Sequence, residues 1–202
     1  GIVCRRVFNT VKLYAKQRRL VSLMTAHINE REKNNHMMID IQSHIVEFRN
    51  GESGKHVFHM DKVIQLLLDK IVQKTDKYPS LWQERILIRT AAALHDIGKI
   101  GIDEAILNKP GRLTAEEFES MKAHTTIGAD MLRNLPRYQE ERLLQIAIEI
   151  CRWHHERYDG KGYPDGLVGD EIPISAQLVS LADVYDALTS ERVYKKAFSH
   201  EK

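Results

Sequence analysis

Between Gly1 and Gly51 the chain contains neither glycine nor proline, and apolar side chains recur at helical spacing. They run through Val7, Val11, Tyr14, Val21, Met24 and Ile28, then Met38, Ile41, Ile45 and Phe48. One or two long helices are predicted there. A periodic run well beyond about 25 residues with no internal stop usually packs on a partner chain or connects domains, because one small core cannot cover it. Gln17, Arg18 and Thr25 interrupt the seam, so the heptads are imperfect. The stretch reads as a dimerising or signalling stalk, with an ordinary pair of core helices as the alternative.

After Gly51 the pattern stays helical, broken at Lys77-Tyr78-Pro79-Ser80, at Asn108-Lys109-Pro110-Gly111, at Leu135-Pro136 and by a long loop from Asp159 to Pro173. Thr114-Ala115-Glu116-Glu117 has the form of a capping box, predicting a helix that starts there and runs through His124. Further helices are predicted from about Tyr138 to Arg152 and over Ser175 to Thr189. No stretch alternates with period two for long, and residues around Leu167 and Ile172 could form a short hairpin at most. The expected fold is all-α, with a stalk over residues 1–50 and a second domain over 51–202.

Composition narrows the function. With 43% apolar and 29% charged residues in 202, the chain is globular. A net charge of +2 is too balanced for a protein that coats a nucleic acid polymer. Arg5, Arg6, Lys12, Lys16, Arg18 and Arg19 precede the first acidic residue, so the positive excess sits in the N-terminal arm. Cys4 and Cys151 are far apart and outside any CxxC pattern, which argues against a disulfide framework or thiolate zinc site and fits a reducing, cytoplasmic compartment. No apolar run is long enough for a membrane span, and the start lacks the order of a signal peptide. The first residue is not Met, and a fragment of a longer protein is expected.

Several histidines and carboxylates stand where a core would not place them. Extending the stripe Leu143, Ala147, Ile150 and Cys151 by one turn reaches His154. Asp183 is closely surrounded by Ala176, Leu178, Val179, Leu181, Ala182, Val184 and Leu188. An unpaired buried carboxylate costs several kcal/mol, so something positive is expected beside it, although a capping or Arg-paired aspartate would also serve. His95-Asp96 ends an Ala/Leu-rich segment, and both can face one metal only where the helix is ending, an ending that Gly98 would supply. Alone, a His-Asp pair is weak. Together, Glu52, His56, His95, Asp96, His124, His154, His155 and Asp183 exceed what one ion needs, and two or three six-coordinate ions could share them. Mixed His and carboxylate ligation without thiolate points to Fe or Mn, with Zn, Ni or Co possible.

His95-Asp96-Ile97-Gly98-Lys99, followed by His154-His155-Glu156-Arg157-Tyr158-Asp159-Gly160-Lys161-Gly162-Tyr163-Pro164, resembles the HD-GYP family of metal-dependent phosphodiesterases that degrade bacterial cyclic di-GMP. Asp183-Val184-Tyr185-Asp186-Ala187-Leu188-Thr189-Ser190 and Arg192-Val193-Tyr194-Lys195 extend the match, which covers about Asn50 to Lys202. The resemblance implies an HD-domain helical bundle and places metal ligands on the same eight residues. It further implies that Lys99, Arg192 and Lys195 hold substrate phosphates, and that Gly162-Tyr163-Pro164 lies in a loop able to dock a GGDEF partner. Singly, Arg192 and Lys195 could be solvated surface charges, and Tyr163 and Pro164 plain turn residues. Glu52 is the position that, in the family, goes with a three-metal cluster and hydrolysis through pGpG to GMP. The family's domain normally continues beyond Lys202, so truncation at the C-terminus is expected, and the N-terminal stalk resembles the connector behind a receiver domain.

The expected chemistry is in-line attack on phosphorus by metal-activated water, with Asp96 bridging two ions and Lys99 stabilising phosphorane charge or protonating the leaving 3′ oxygen. The rivals are an HD hydrolase of another nucleotide and a non-catalytic cyclic di-GMP receptor. His27, His36, His44 and His200 read as surface histidines, and His59 as an outer-shell group at most.

Overall fold

Residues 2–49 and 55–189 are described by the computed structural model. Glu52, Arg192, Lys195 and His200 lie outside the described residues, as does the side chain of His36. The chain divides into two compact units, Gly1–Met38 and Ile39–Lys202.

Helix α1, Ile2–Arg49, is a single helix of 48 residues, consistent with a stretch that holds no helix breaker. In the first unit Val11, Tyr14, Leu20, Val21, Met24 and Ile28 are all exposed, so these apolar residues have no cover among the described residues of their own unit. The second unit takes up the helix again at Ile39. There Ser43, Val46 and Glu47 are buried.

The second unit contains α2 (Lys55–Lys74), α3 (Leu81–Ala92), the short α4 (Glu104–Leu107), α5 (Ala115–Lys122), α6 (His124–Arg133), α7 (Arg142–Trp153) and α8 (Ile174–Thr189). Among the described residues three 3-10 turns occur, at Ile97–Gly101, Pro136–Tyr138 and Gly169–Glu171. Among the described residues there is no strand, and the hairpin allowed near Leu167 reduces to one isolated bridge between Asp159 and Val168. The core is built where four helical stripes meet. Met60, Ile64 and Leu68 of α2 pack with Ile88 and Ala91 of α3, Ile146 and Ile150 of α7, and Leu178, Val179 and Ala182 of α8. Burying each large aliphatic side chain contributes roughly 1.5–3 kcal/mol, and the small Ala91, Ala147 and Ala182 let the helices approach closely.

Two predicted boundaries need correction. The capping box at Thr114 is present, with Glu117 N donating to Thr114 Oγ1 and Thr114 N to Glu117 Oε2. The helix it starts nevertheless stops at Lys122, because Ala123 N turns back to Ser120 O and the chain re-enters a new helix at His124. Helix α7 begins at Arg142 rather than near Tyr138, since Pro136–Tyr138 forms a separate 3-10 turn and Glu141 is extended.

Candidate metal centre

Helix ends supply the site. Helix α3 stops at Ala92, and the 3-10 turn Ile97–Gly101 follows His95-Asp96 directly. Gly98 is needed there for proximity rather than for a left-handed helix stop, because it is absent from the positive-φ glycines. A Cβ on Gly98 would collide with His124 O and Gly128 N, so the turn lies directly on the first turn of α6. His154 caps the C-terminal end of α7, His56 lies in the first turn of α2, and Asp183 and Asp186 come from α8.

The imidazoles are aimed by their own backbone. His95 Nδ1 donates to Ala92 O at 2.9 Å and His124 Nδ1 to Met121 O at 2.7 Å. His154 Nδ1 lies 3.0 Å from Ile150 O and 3.1 Å from Cys151 O. Only a protonated Nδ1 can donate to a carbonyl, so in each neutral ring the Nε2 lone pair faces inward, the orientation in which a backbone acceptor holds a metal-binding histidine. His56 is turned likewise by a carboxylate, with Nδ1 2.6 Å from Asp186 Oδ2. Its Nε2 then lies 3.6 Å from Asp183 Oδ1.

Two ligand groups result: His124 with His154 and His155, and His56 with His95 and Asp183, the donor atoms within each group lying within 4.8 Å of one another. Asp96 stands between them. Its Oδ2 is 3.1 Å from His95 Nε2, while Oδ1 is 3.3 Å from His124 Nε2 and 3.9 Å from His154 Nε2. One carboxylate thus offers an oxygen to each group. Lys99 Nζ is 2.7 Å from Asp96 Oδ2.

Electrostatics follow from this crowding. Burial pushes His124 and His154 down, His154 well below the ordinary imidazole value with its histidine neighbours adding to the shift. Burial and the His124 charge lower His155 to about 4. These three rings are neutral at pH 7, the form that ligates metal. Burial also opposes the His95 cation, but the Asp96 charge outweighs it and holds His95 at about 9. Burial likewise opposes the Asp96 anion, yet Lys99 and His95 keep its carboxyl well below the usual range.

The donor set fits cations. His95 Nε2 and Asp96 Oδ1 are buried and make no hydrogen bond. His124 Nε2 and His154 Nε2 are 3.4 Å apart, so two inward lone pairs oppose each other across a gap that two nitrogens bound to one ion at about 2.1 Å would span.

A second set of contacts shapes the rim. Buried Glu156 accepts from Asp165 N at 2.7 Å, Gly166 N at 3.0 Å and Leu167 N at 3.1 Å, pinning the long loop after α7. Gly162 in that loop passes so close to the backbone of residues 156 and 157 that no Cβ fits. Tyr163 then stacks on His155 with ring centroids 4.8 Å apart, and Pro164 follows it in the same turn. The loop residues Gly162, Tyr163 and Pro164 are therefore at the site.

The structure brings His56, His95, Asp96, His124, His154, His155, Asp183 and Lys99 together. One expectation is corrected: the buried carboxylate of α8 is Asp186, not Asp183. Leu181, Val184 and Leu188 are exposed, so among the described residues only one side of α8 is covered and Asp183 sits at its edge. Asp186 and Glu156 were missed as site residues, though a carboxylate one helical turn after Asp183 was the available signal for the first. His59 is an outer contact, with Nδ1 3.0 Å from Asp186 Oδ1. His27 and His44 are exposed.

An HD domain model matches residues 18–202. The chain belongs to the HD-domain family. This HD domain is 43% identical over 161 residues to a probable cyclic di-GMP phosphodiesterase of Vibrio cholerae, covering 78% of this chain and 36% of that protein. It is 38% identical over 177 residues to the cyclic di-GMP phosphodiesterase response regulator RpfG of Xanthomonas campestris, covering 87% of this chain and 44% of the relative. It is also 35% identical over 194 residues to the 3′3′-cGAMP-specific phosphodiesterase 2 of Vibrio cholerae, covering 91% of this chain and 35% of the relative. The chain therefore spans less than half the length of each of these relatives.

Proposed function

We propose that this HD domain is a metal-dependent phosphodiesterase that hydrolyses cyclic di-GMP to pGpG and on to GMP. The observation that carries the reading is Asp96, whose two oxygens face two separate histidine groups, the arrangement of a carboxylate shared by two cations. The names of the relatives support the substrate class.

Two or three ions, Fe or Mn in preference to Zn, Ni or Co, would supply Lewis acidity toward a phosphoryl oxygen and a water of lowered pKa. His124, His154 and His155 would hold one, His56, His95 and Asp183 another, with Asp96 between and Glu52 as the ligand for a third. Lys99, beside Asp96, is positioned to neutralise charge on the phosphoryl oxygens or to give a proton to the departing 3′ oxygen. Arg192 and Lys195 are proposed to fix the substrate phosphates. Tyr163, stacked on His155, screens that ring from bulk water.

The proposal extends to assembly and setting. The exposed apolar seam of α1 supports a homodimer through this helix, since a helix with an uncovered apolar stripe needs a partner surface. Residues 1–50 are read as the connector from an upstream receiver or sensor domain, residues 51–202 as the catalytic part, and the loop at Tyr163 as a dock for a GGDEF partner. No helix among the described residues is long and apolar enough to cross a membrane, which agrees with a cytoplasmic setting.

The test is metal content by mass spectrometry, together with product chromatography after incubation with cyclic di-GMP and, separately, 3′3′-cGAMP. Conversion of cyclic di-GMP to GMP by metal-loaded protein is expected. Turnover of 3′3′-cGAMP alone would favour the specificity of the third relative, and binding without turnover a receptor.

A further inference from the structure

We infer that the last two turns of α1, through Ser43 and Arg49, position the backbone turn that carries His95, Asp96 and Lys99. The inference rests on the reading of that turn as catalytic machinery.

A 3-10 turn ends with carbonyls that lack partners of their own. At the end of Ile97–Gly101, among the carbonyls of Lys99, Ile100 and Ile102, only Lys99 O has a backbone donor of this kind, Ile102 N at 3.1 Å, and further donors come from another element. Arg49 Nη1 donates to Lys99 O at 3.1 Å and also to Ile100 O, while Nη2 donates to Ile102 O at 3.0 Å. One guanidinium therefore gathers three carbonyls, a task suited to its planar fork and beyond a lysine ammonium held in one direction. On the other side of His95, the buried Ser43 hydroxyl lies within reach of Ile39 O in its own helix and of Ala93 O. The two residues thus hold the chain before and after the His95-Asp96 pair.

The anchor is itself fastened. Asn108 Nδ2 donates to Arg49 O at 3.0 Å, and Glu47 Oε1 accepts from Val57 N at 3.1 Å, next to His56. The end of α1 consequently reaches the backbone beside both His56 and His95, members of one ligand group. Gly98 admits no side chain against α6, so the turn is pressed from one side by α6 and drawn from the other by Arg49. Loss of the guanidinium should loosen the turn without uncovering the core, because the bonds it makes run to backbone carbonyls of residues 99, 100 and 102, and Arg49 is not a member of the apolar cluster that joins α2, α3, α7 and α8.

The experiment uses the full chain as wild type, Arg49→Ala, Arg49→Lys and Ser43→Ala. Amide hydrogen exchange is followed by mass spectrometry, Mn²⁺ binding by calorimetry, and kcat and KM with cyclic di-GMP. In Arg49→Ala, exchange over residues 97–102 should rise at least tenfold while α7 stays as in wild type. Mn²⁺ affinity should fall severalfold and kcat at least tenfold, with KM within about threefold. Arg49→Lys should recover part of kcat, and Ser43→Ala should show a smaller change centred on residues 93–96. Wild-type exchange at 97–102 and wild-type Mn²⁺ affinity in Arg49→Ala would overturn the inference. So would faster exchange spread evenly over α7 in both Arg49 variants, the mark of general destabilisation. If Arg49→Ala does not fold, Arg49→Lys and Ser43→Ala decide by the same readouts. A wild-type protein that leaves cyclic di-GMP intact would defeat the functional proposal, while exchange and Mn²⁺ binding would still judge the positioning role.

Discussion

The Nδ1 atom of His56 lies 2.6 Å from Oδ2 of Asp186, a carboxylate that is almost fully buried and holds His59 through its other oxygen at 3.0 Å. This pairing sets the tautomer of His56 and directs Nε2 toward Asp183. Outer-shell carboxylates of this kind typically carry about 10–100-fold in metal affinity or activity. Asp186→Asn should therefore weaken Mn²⁺ binding by about tenfold or more while leaving the helical circular dichroism unchanged. Calorimetric titration of the two proteins side by side measures it, and equal affinities would remove the orienting role.

Asp96 lies between the two histidine groups, with one oxygen toward each. Asp96→Asn keeps its size but removes the charge that would be shared, and turnover of cyclic di-GMP should fall by orders of magnitude. Retention of more than about a tenth of wild-type kcat, under about 1.4 kcal/mol of barrier, would show that no bridging role exists.

Glu52 bears on how far hydrolysis proceeds. Its proposed place is as a third-site ligand, four residues ahead of His56. Glu52→Ala should lower the metal-to-protein ratio and let pGpG accumulate where wild type proceeds to GMP. Chromatography over a time course separates the outcomes, and unchanged GMP yield with unchanged metal content would exclude the assignment.

Gly98→Ala tests the contact between the 3-10 turn after His95-Asp96 and α6. The added methyl would meet the backbone at His124 O and Gly128 N, neither of which can swing aside as a side chain does. A loss of about 1–3 kcal/mol or more is expected from such overpacking. Urea denaturation reports it as a lowered midpoint, and Mn²⁺ affinity should drop with it because His124 lies at the clash.

Assembly through α1 is open to a direct test. Light scattering should give a dimer mass for the full chain. Replacing exposed Val21 and Ile28 together by Glu should shift it to a monomer with Mn²⁺ binding intact. A wild-type monomer at high concentration would dispose of the stalk as a dimerisation element.

Much of this protein was legible from local pattern. The absence of Gly and Pro between Gly1 and Gly51 corresponds to one uninterrupted helix from Ile2 to Arg49, and the Thr114 capping box to the start of α5. His154 falls at the end of the α7 stripe, where periodicity put it. These features depend on neighbours three or four residues away, which a sequence displays directly. Tertiary structure alone decided the rest. Asp186 rather than Asp183 is buried because, among the described residues, α8 is covered on one side only, and nothing local to α8 says which side. Gly98 matters through the backbone of α6, and Arg49 through carbonyls about fifty residues further on. Such roles arise from approaches between segments distant in the chain, where the partner of a polar group is chosen by packing and by the cost of leaving it unpaired.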